Sequence, residues 1–152
     1  MKLHLGCGTN KMKGWVNCDI DQKMHPDKVI DLNKQWPFAD ESVEEIYAEY
    51  LVEHVQDLNN FISESCRVLK RGGKIRLVTV NSYFWRNRLS FLFGRFTKTS
   101  AFSVWHCWLF KPSVLAEMFR SRDFEVKISG RGLLPWPDLF YYRFELLGRK
   151  RQ

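Results

Sequence analysis

The segment that most constrains the fold is a glycine turn at the start of the chain. Lys2–Leu5 form a short apolar run that ends in the turn Gly6–Gly8. Glycine has no Cβ, so such a turn can adopt positive φ and let a ligand approach the backbone closely. A second short run, Trp15–Cys18, leads to Asp19 and Asp21, carboxylates that can accept hydrogen bonds from ribose hydroxyls. This order of strand, turn, strand and acid predicts a nucleotide-binding edge of an α/β sheet.

The connections between the first strands are too short for full helices. Six residues separate Gly8 from Trp15, whereas a parallel crossover normally takes a dozen or more residues and contains a helix. We therefore expect a loop there, with at most one helical turn, and a second loop at Gln22–Lys28. The remaining pattern predicts two helices, one from the cap Asp57 to about Leu69, terminated by Gly72 and Gly73, and one that begins at Pro112 and runs over Ser113–Arg122. It also predicts a turn-rich link at Gly130–Pro137. The further predicted strands are Val29–Ile30, Val43–Tyr50, Lys74–Val80, Asp123–Ser129 and Phe140–Leu147.

Three motifs in the first half of the chain carry a family resemblance. The first is Leu5–Gly8, the second is Asp31-Leu32 followed by the block Trp36–Tyr47, and the third is Arg67–Ile75. In this order they resemble the motifs of class I S-adenosylmethionine-dependent methyltransferases, most closely the small type 11-like family. The resemblance is close over residues 2 to 80 and loose over residues 106 to 149.

The resemblance implies a fold, an activity and a cofactor. The implied fold is a Rossmann-like, doubly wound α/β sheet of the methyltransferase type, reduced in helices, with an antiparallel C-terminal hairpin and a single domain over residues 1–152. The implied activity is that of a transferase that takes its methyl group from S-adenosylmethionine. The cofactor-binding residues that it implies are Leu5, Gly6, Cys7, Gly8, Asp19, Ile20, Asp31, Leu32 and Glu49.

Some of these residues take specific roles from the resemblance. Asp19 matches the acid that binds the ribose, with Asp21 as the alternative, while Asp31 and the backbone N–H of Leu32 match the groups that contact the adenine. A purely structural role for Asp31, as a helix cap or turn acid, stays open. His4 departs from the pattern, because the family usually has an acid at that position.

Candidate catalytic residues lie just after the ends of the central strands, where open α/β sheets bind ligands. They are His54 after the fourth strand, Tyr83 (with Asn81) after the fifth, and His106 further along the chain. Histidine titrates near neutral pH and can accept a proton from an acceptor hydroxyl. The alternatives are a histidine bonded to the backbone at a helix start for His54 and packing among aromatic rings for His106.

The residues just after the fourth strand constrain the acceptor. Methyltransferases that modify adenine or glutamine amino groups often carry Asn/Asp-Pro-Pro-aromatic there, whereas this chain has Ala48–Leu51. We therefore expect methylation at oxygen on a small-molecule, glycan or lipid-linked acceptor. Residues 65–116 contain 10 basic and no acidic residues, while residues 1–64 have a net charge of −6. The basic part suits an anionic acceptor or surface, or simply keeps the protein soluble.

Cysteine and hydropathy patterns address compartment and metal content. The four cysteines, Cys7, Cys18, Cys66 and Cys107, show no C-x-x-C spacing, which argues against a metal site or a disulfide framework. We expect Cys7 to be a small residue that fits the turn rather than a nucleophile. No apolar run is long enough to span a membrane and no signal-peptide layout opens the chain, so we expect a cytoplasmic protein that could be peripheral to the membrane.

An insert at Tyr83–Phe110 interleaves large apolar side chains with Arg86, Arg88, Arg95 and Lys98. We expect a lid over the acceptor side that presents a basic, aromatic face to anionic head groups. The alternatives are inward packing or a homodimer interface.

At the level of function, the alternatives are a degenerate methyltransferase fold that acts as a binding module, and an RNA methyltransferase. Nucleic acid ranks lower because no RNA-binding appendage accompanies the basic segment.

Overall fold

The computed structural model describes residues 1–92, 106–130 and 142–151. Within these residues the sheet has seven strands, which three α-helices and two short 3₁₀ turns connect. The strands are β1 Lys2–Leu5, β2 Val16–Asp19, β3 Lys28–Val29, β4 Val43–Glu49, β5 Leu69–Val80, β6 Phe124–Gly130 and β7 Arg143–Lys150. The helices are α1 Leu58–Val68, α2 Trp85–Leu92 and α3 Pro112–Arg120, and the 3₁₀ turns are Gln22–Met24 and Val52–His54.

All seven strands form one sheet in the order β3-β2-β1-β4-β5-β7-β6. Strands β1 to β5 pair in parallel, whereas β7 is antiparallel to both β5 and β6. The first strand is central, so the ends of β1, β2 and β4 meet at one edge. The predicted methyltransferase-type sheet with its antiparallel C-terminal hairpin is confirmed.

The first three crossovers lack α-helices, and the loops predicted for the first two are confirmed. The connection from β1 to β2 is a loop, that from β2 to β3 contains only the turn Gln22–Met24, and that from β3 to β4 is irregular. In the last connection Trp36 takes over part of the packing role of a helix. Its side chain is buried, and its ring meets that of Phe61 on α1 edge to face at a centroid distance of 5.5 Å.

The core lies between one face of the sheet and the helices α1 and α3. Buried apolar side chains alternate along the strands on that face, including Leu3, Leu5, Ile46, Ile75 and Leu77. The opposite face is polar and partly exposed, with ion pairs such as Lys2–Glu45 and Arg76–Glu145 between neighbouring strands. The period of two along each strand thus separates a dry face from a wet one.

The predicted last residue of α1, about Leu69, is close to the observed one, but the prediction that Gly72 and Gly73 terminate the helix is wrong. The helix begins after the predicted cap Asp57, whose side chain accepts a hydrogen bond from the Asn60 N–H, but it ends at Val68. Leu69 is already extended and pairs with Val43 of β4, so the glycines lie inside β5.

The two glycines lie at an irregularity within strand β5 and not at the end of helix α1. Gly72 has a φ of +72°, and the register between β4 and β5 shifts next to it. A Cβ at Gly73 would lie 2.8 Å from the Lys70 carbonyl oxygen. Leu69 is fully buried and pairs with Val43, so the chain enters β5 directly after α1 and before it reaches the two glycines.

The second half keeps its predicted elements with shifted ends. The helix begins at Pro112 as expected, and the closing strand lies at Arg143–Lys150 instead of Phe140–Leu147. Residues 131–137 of the predicted link and residues 93–105 of the insert lie outside the described residues. Within the described part of the chain, no helix is long and apolar enough to cross a membrane.

Candidate functional site

The glycine turn closes the end of β1 through its own backbone. Gly6 and Gly8 have φ of +63° and +49°, and the Cys7 N–H continues the ladder to the Cys18 carbonyl at 3.0 Å. A Cβ at Gly6 would lie 2.8 Å from the Leu51 side chain, whereas one at Gly8 would meet nothing within 4 Å. The turn therefore packs against Leu51 at Gly6 and leaves open space at Gly8.

The Asp19 carboxylate at the end of β2 organises this edge. Its Oδ2 accepts a hydrogen bond from the Gly8 N–H at 2.8 Å, and its Oδ1 accepts one from the Asp21 N–H at 3.0 Å. Each oxygen keeps a further lone pair for a ligand hydroxyl. Asp21 instead caps the next 3₁₀ turn by accepting from the Lys23 N–H at 2.9 Å. This geometry favours Asp19 over Asp21 for a ribose contact.

A cavity of about 290 Å³ opens beside the ends of β1, β2 and β3. Five residues that the sequence predicted for the cofactor line it, namely Gly6, Asp19, Ile20, Asp31 and Leu32. The other lining residues are Cys18, Ile30, Asn33, Tyr50, Leu51, His54 and Val55. Leu5 is buried beneath the turn, and Gly8 reaches the site through its bond to Asp19. Tyr50 and Leu51 were not predicted, because no sequence signal marks a residue that packs against a glycine turn.

Asp31 forms a local turn and also lines the cavity. Its Oδ1 accepts hydrogen bonds from the Asn33 N–H at 3.0 Å and from the Asn33 side-chain amide at 3.1 Å, which forms a local turn. The bond from the Asn33 backbone N–H holds the pKa of Asp31 below its usual value. The group is therefore an ionised acceptor at neutral pH that also lines the cavity.

A second, wider cavity of about 710 Å³ adjoins the first, and both include Gly6 and Tyr50 in their lining. Cys7 and Glu49, the other predicted cofactor residues, line this second cavity. Glu49 accepts a hydrogen bond from the Tyr47 hydroxyl at 2.9 Å, and burial together with that bond raises the pKa of Tyr47 to about 12. The lining of the second cavity therefore combines the Glu49 carboxylate with Gly6 and Cys7 of the glycine turn.

Two further residues of this wall bear on the sequence predictions. Burial raises the pKa of the Cys7 thiol, which supports its interpretation as a small turn residue and not a nucleophile. His4 is buried, with its Nδ1 3.2 Å from the Asn17 side-chain oxygen. His4 therefore packs within the sheet, where the family usually has an acid.

His54 and His106 come together across a large sequence separation. His54 ends the 3₁₀ turn after β4 and lines the first cavity, and its ring centroid lies 4.7 Å from that of His106. The backbone fixes this approach, because the Cys107 and Trp108 N–H groups both donate to the Glu53 carbonyl, at 2.8 and 3.2 Å. The Trp108 indole N–H also donates to the Val55 carbonyl at 2.6 Å. The end of the insert is thus docked on the turn that carries His54.

Tyr83 lies apart from the lining of both cavities. Its ring is exposed and sits under the Arg88 guanidinium at 5.3 Å, while its N–H donates to the Asn81 side chain at 2.9 Å. Glu53, in contrast, is buried close to His54, His106 and Thr79. Its Oε2 accepts a hydrogen bond from the Thr79 hydroxyl at 2.8 Å.

Comparison with known proteins agrees with this geometry. A protein-family profile described as a methyltransferase domain matches residues 3–77. A SAM-dependent methyltransferase from Thermotoga maritima is similar in structure, with a TM-score of 0.72 and 19% identity over 99% of this chain and 82% of that one. One from Methanosarcina mazei gives 0.71 and 18%, over 99% of this chain and 92% of that one.

A third similar structure is a methyltransferase of Haloferax volcanii in complex with the Trm112 methyltransferase activator, with a TM-score of 0.69 and 17% identity over 99% of this chain and 82% of that one. No curated protein sequence matches this chain. The sheet order and these similar structures show that the chain has the fold of class I S-adenosylmethionine-dependent methyltransferases. Residues 3–77 match the methyltransferase domain family, and several of the structures that this chain resembles are of enzymes that depend on S-adenosylmethionine.

Proposed function

We propose that the protein transfers a methyl group from S-adenosylmethionine to an oxygen atom of a small-molecule, glycan or lipid-linked acceptor. The observation that carries this proposal is that His54 lines the same cavity as Asp19 and Asp31 and also meets His106. In this proposal the two carboxylates that bind the nucleoside part of the cofactor therefore lie in the same cavity as the histidine that contacts the acceptor. Such convergence of polar groups in one concave site is typical of an active site.

The residues present fit the cofactor. Open space beside Gly8 leaves room for a ligand against the backbone, and the Asp19 oxygens each keep a lone pair after their bonds to the turn. In this proposal Asp19 binds the ribose hydroxyls, Asp31 and the Leu32 backbone bind the adenine, and Glu49 faces the ammonium. When bound, S-adenosylmethionine supplies a methyl group already activated by the sulfonium, so the protein mainly aligns the acceptor.

His54 and His106 form the acceptor side in this proposal. Both belong to segments at the ends of the central strands, and His106 is held there by the backbone bonds of the next two residues. They orient an acceptor hydroxyl toward the cofactor. Tyr83 is a weaker candidate for the same task, because it does not line either cavity.

A lipid-linked or otherwise membrane-proximal acceptor is supported by the exposed face of α2. Trp85, Leu89 and Leu92 follow one another at helical spacing and are 42%, 41% and 80% exposed. Arg86 and Arg88 of the same helix are also exposed. An apolar stripe flanked by arginines suits the boundary between water and anionic head groups.

The ribose contact is tested by a pair of acid substitutions. We expect Asp19→Ala to weaken S-adenosylmethionine binding at least tenfold, since lost hydrogen bonds at a charged group cost roughly 1.5–3 kcal/mol. Asp21→Asn is the matched control and should change affinity less than about twofold. Isothermal titration calorimetry measures both. A large loss in Asp21→Asn with little change in Asp19→Ala would move the contact to Asp21, and no loss in either would remove the proposed site.

The acceptor side is tested separately from the cofactor. We expect His54→Ala to keep S-adenosylmethionine affinity and to lose most transfer of labelled methyl groups into a cell extract, because the acceptor is no longer oriented. His25→Ala, on an exposed turn, is the control. Full transfer by the His54 variant would leave that residue a structural role only. Cofactor binding by the wild type with no turnover on any extract would favour the binding-module alternative.

A further inference from the structure

Three potential metal ligands converge behind the first cavity. One carboxylate oxygen of Glu53 and one ring nitrogen each of His54 and His106 all lie within 4.8 Å of one another. Ligand atoms around a tetrahedral zinc ion at about 2.0–2.1 Å are about 3.3 Å apart. Because His54 is exposed and His106 only half-buried, small rotations of the two rings can close the remaining gap.

The Glu53 carboxylate is an independent sign of a missing partner. The residue is 1% exposed, and its Oε1 has no hydrogen-bond partner among the described residues. Burying a carboxylate oxygen without a partner costs several kcal/mol in an apolar environment. Its other oxygen is oriented by the Thr79 hydroxyl, in the way that outer hydrogen bonds orient metal-binding carboxylates.

The backbone pre-arranges the cluster. Glu53 and His54 end a 3₁₀ turn at the tip of β4, Thr79 lies near the end of β5, and the segment after His106 is bonded to the Glu53 carbonyl. The Trp108 indole secures the same segment to Val55 at 2.6 Å. Three chain segments therefore hold the ligand atoms together without requiring a metal to assemble them.

We propose that Glu53, His54 and His106 bind one divalent transition-metal ion of the zinc class. Two imidazoles and one carboxylate suit Zn²⁺, Co²⁺, Ni²⁺ or Fe²⁺, whereas Mg²⁺ and Ca²⁺ prefer sites built from oxygen ligands. Three protein ligands leave at least one coordination position for water or another oxygen. The cysteine spacing led us to expect no metal site, but that spacing bears only on thiolate ligands, and the two histidines lie too far apart in sequence to signal this site.

The metal site also has a consequence for the methyl acceptor, and this consequence rests on the proposed function. The metal binding itself does not rest on it. His54 lines the cavity that contains Asp19 and Asp31, so a metal ion on its ring would lie beside the acceptor's path. An oxygen bound to such an ion loses its proton more readily. The acceptor class is then one with a hydroxyl or carboxylate oxygen that can coordinate a metal.

Metal binding is measured on the full chain without cofactor or acceptor. Titration with Zn²⁺ should give one site per chain, and Co²⁺ should give the visible absorption of a low-symmetry, nitrogen-containing site. We expect His106→Asn and Glu53→Gln to weaken Zn²⁺ binding at least tenfold. Thr79→Val, which removes only the orienting hydroxyl, should weaken it about tenfold, in the range seen for outer-shell partners.

Two controls separate this site from adventitious binding. His25→Asn removes an exposed histidine in a left-handed position that asparagine tolerates, and Cys107→Ser removes the thiol nearest the cluster. Both should bind Zn²⁺ as the wild type does. Zn²⁺ should also raise the melting temperature of the wild type and the controls but not of His106→Asn.

The outcomes are distinct from those of the methyl-transfer proposal. Binding lost in Cys107→Ser but kept in His106→Asn would assign the metal to the thiol and overturn the inference. Equal binding by all variants, or none by the wild type, would overturn it too. Loss of S-adenosylmethionine affinity in Asp19→Ala is unaffected by any of these results, so failure of one proposal leaves the other intact.

Discussion

At the residue scale, Gly6 links the turn to the cavity. Its φ of +63° is one that side chains with a Cβ rarely adopt, and the nearest neighbour of an added Cβ would be Leu51 at 2.8 Å. Leu51 in turn lines the first cavity, the one that we propose for the cofactor. A change at Gly6 therefore acts on the backbone and on the shape of the cavity at once. Gly14 has a φ of +80° with open space around it and lines neither cavity.

This pair makes a matched test of backbone strain against site shape. We expect Gly6→Ala and Gly14→Ala each to lower the free energy of unfolding by about 1–2 kcal/mol, from positive φ alone. Only Gly6→Ala should also weaken S-adenosylmethionine binding, at least tenfold, because Leu51 is pushed into the cavity. Urea unfolding and calorimetry give the two quantities. Equal cofactor affinity in the two variants would contradict the role assigned to Gly6.

At the element scale, Glu64 joins α1 to the irregular connection before β4. It is buried, and it accepts hydrogen bonds from the Trp36 N–H at 2.7 Å and from the Arg67 guanidinium at 2.7 and 2.8 Å. Arg67 also donates to the carbonyls of Trp36 and Phe38. The pair thus holds in place a segment that has no helix of its own. The Arg67 bonds hold the pKa of Glu64 below its usual value of 4.5.

The contribution of Glu64 should depend on acid pH with a definite sign. A depressed pKa in the folded state gives stability that is present above the usual value of 4.5 and is lost as the pH falls through the folded pKa. We expect Glu64→Gln to lower the free energy of unfolding by about 2–4 kcal/mol at pH 7 and to flatten its decline below pH 4.5.

Glu44→Gln is the control at this scale, because Glu44 forms an exposed pair with Lys70. It should cost less than about 1 kcal/mol and leave most of the acid dependence in place. Denaturant unfolding between pH 3 and pH 7 (about the range in which carboxylates titrate) measures both variants. Identical pH profiles for Glu64→Gln and the wild type would contradict the proposed role of the pair.

At the scale of the whole molecule, the charge is unevenly distributed along the chain. The net charge is +7, although residues 1–64 carry −6. The exposed stripe Trp85, Leu89 and Leu92 lies within the acid-free part of the chain. Positive charge and exposed apolar area together favour contact with an anionic surface.

We also expect residues 1–152 to unfold as one cooperative unit, which coincident fluorescence and circular dichroism transitions would support.

Membrane contact is tested by sedimentation with liposomes. We expect more protein to sediment with anionic than with neutral vesicles at low salt, and less at about 0.5 M salt, because screening shortens the reach of the charges. The double variant Trp85→Ser/Leu92→Ser should bind less than the wild type. Val114→Ser, on α3 at a position that is 53% exposed, is the matched control. Equal sedimentation with both vesicle types at low salt would remove the membrane proposal.

Features that depend on local conformational preference could be predicted from the amino-acid order alone. The glycine turn, the acid at the end of β2, the cap Asp57 and the start of α3 at Pro112 were all predicted where the structure has them. Each results from backbone dihedrals, capping or a missing N–H, which involve only neighbouring residues. Short spacing between β1 and β2 likewise excluded a helix, because chain length alone limits a crossover.

The meeting of distant segments, in contrast, is a property of the folded chain. Folding placed Leu69 in β5 by pairing it with Val43, although the nearby glycines signal a helix end. It also brought Glu53, His54 and His106 together with Thr79, and set Leu51 against Gly6. These contacts depend on burial and strand pairing between residues far apart in sequence. Periodicity indicates which face of an element is buried, but it does not indicate which distant residue a given side chain meets.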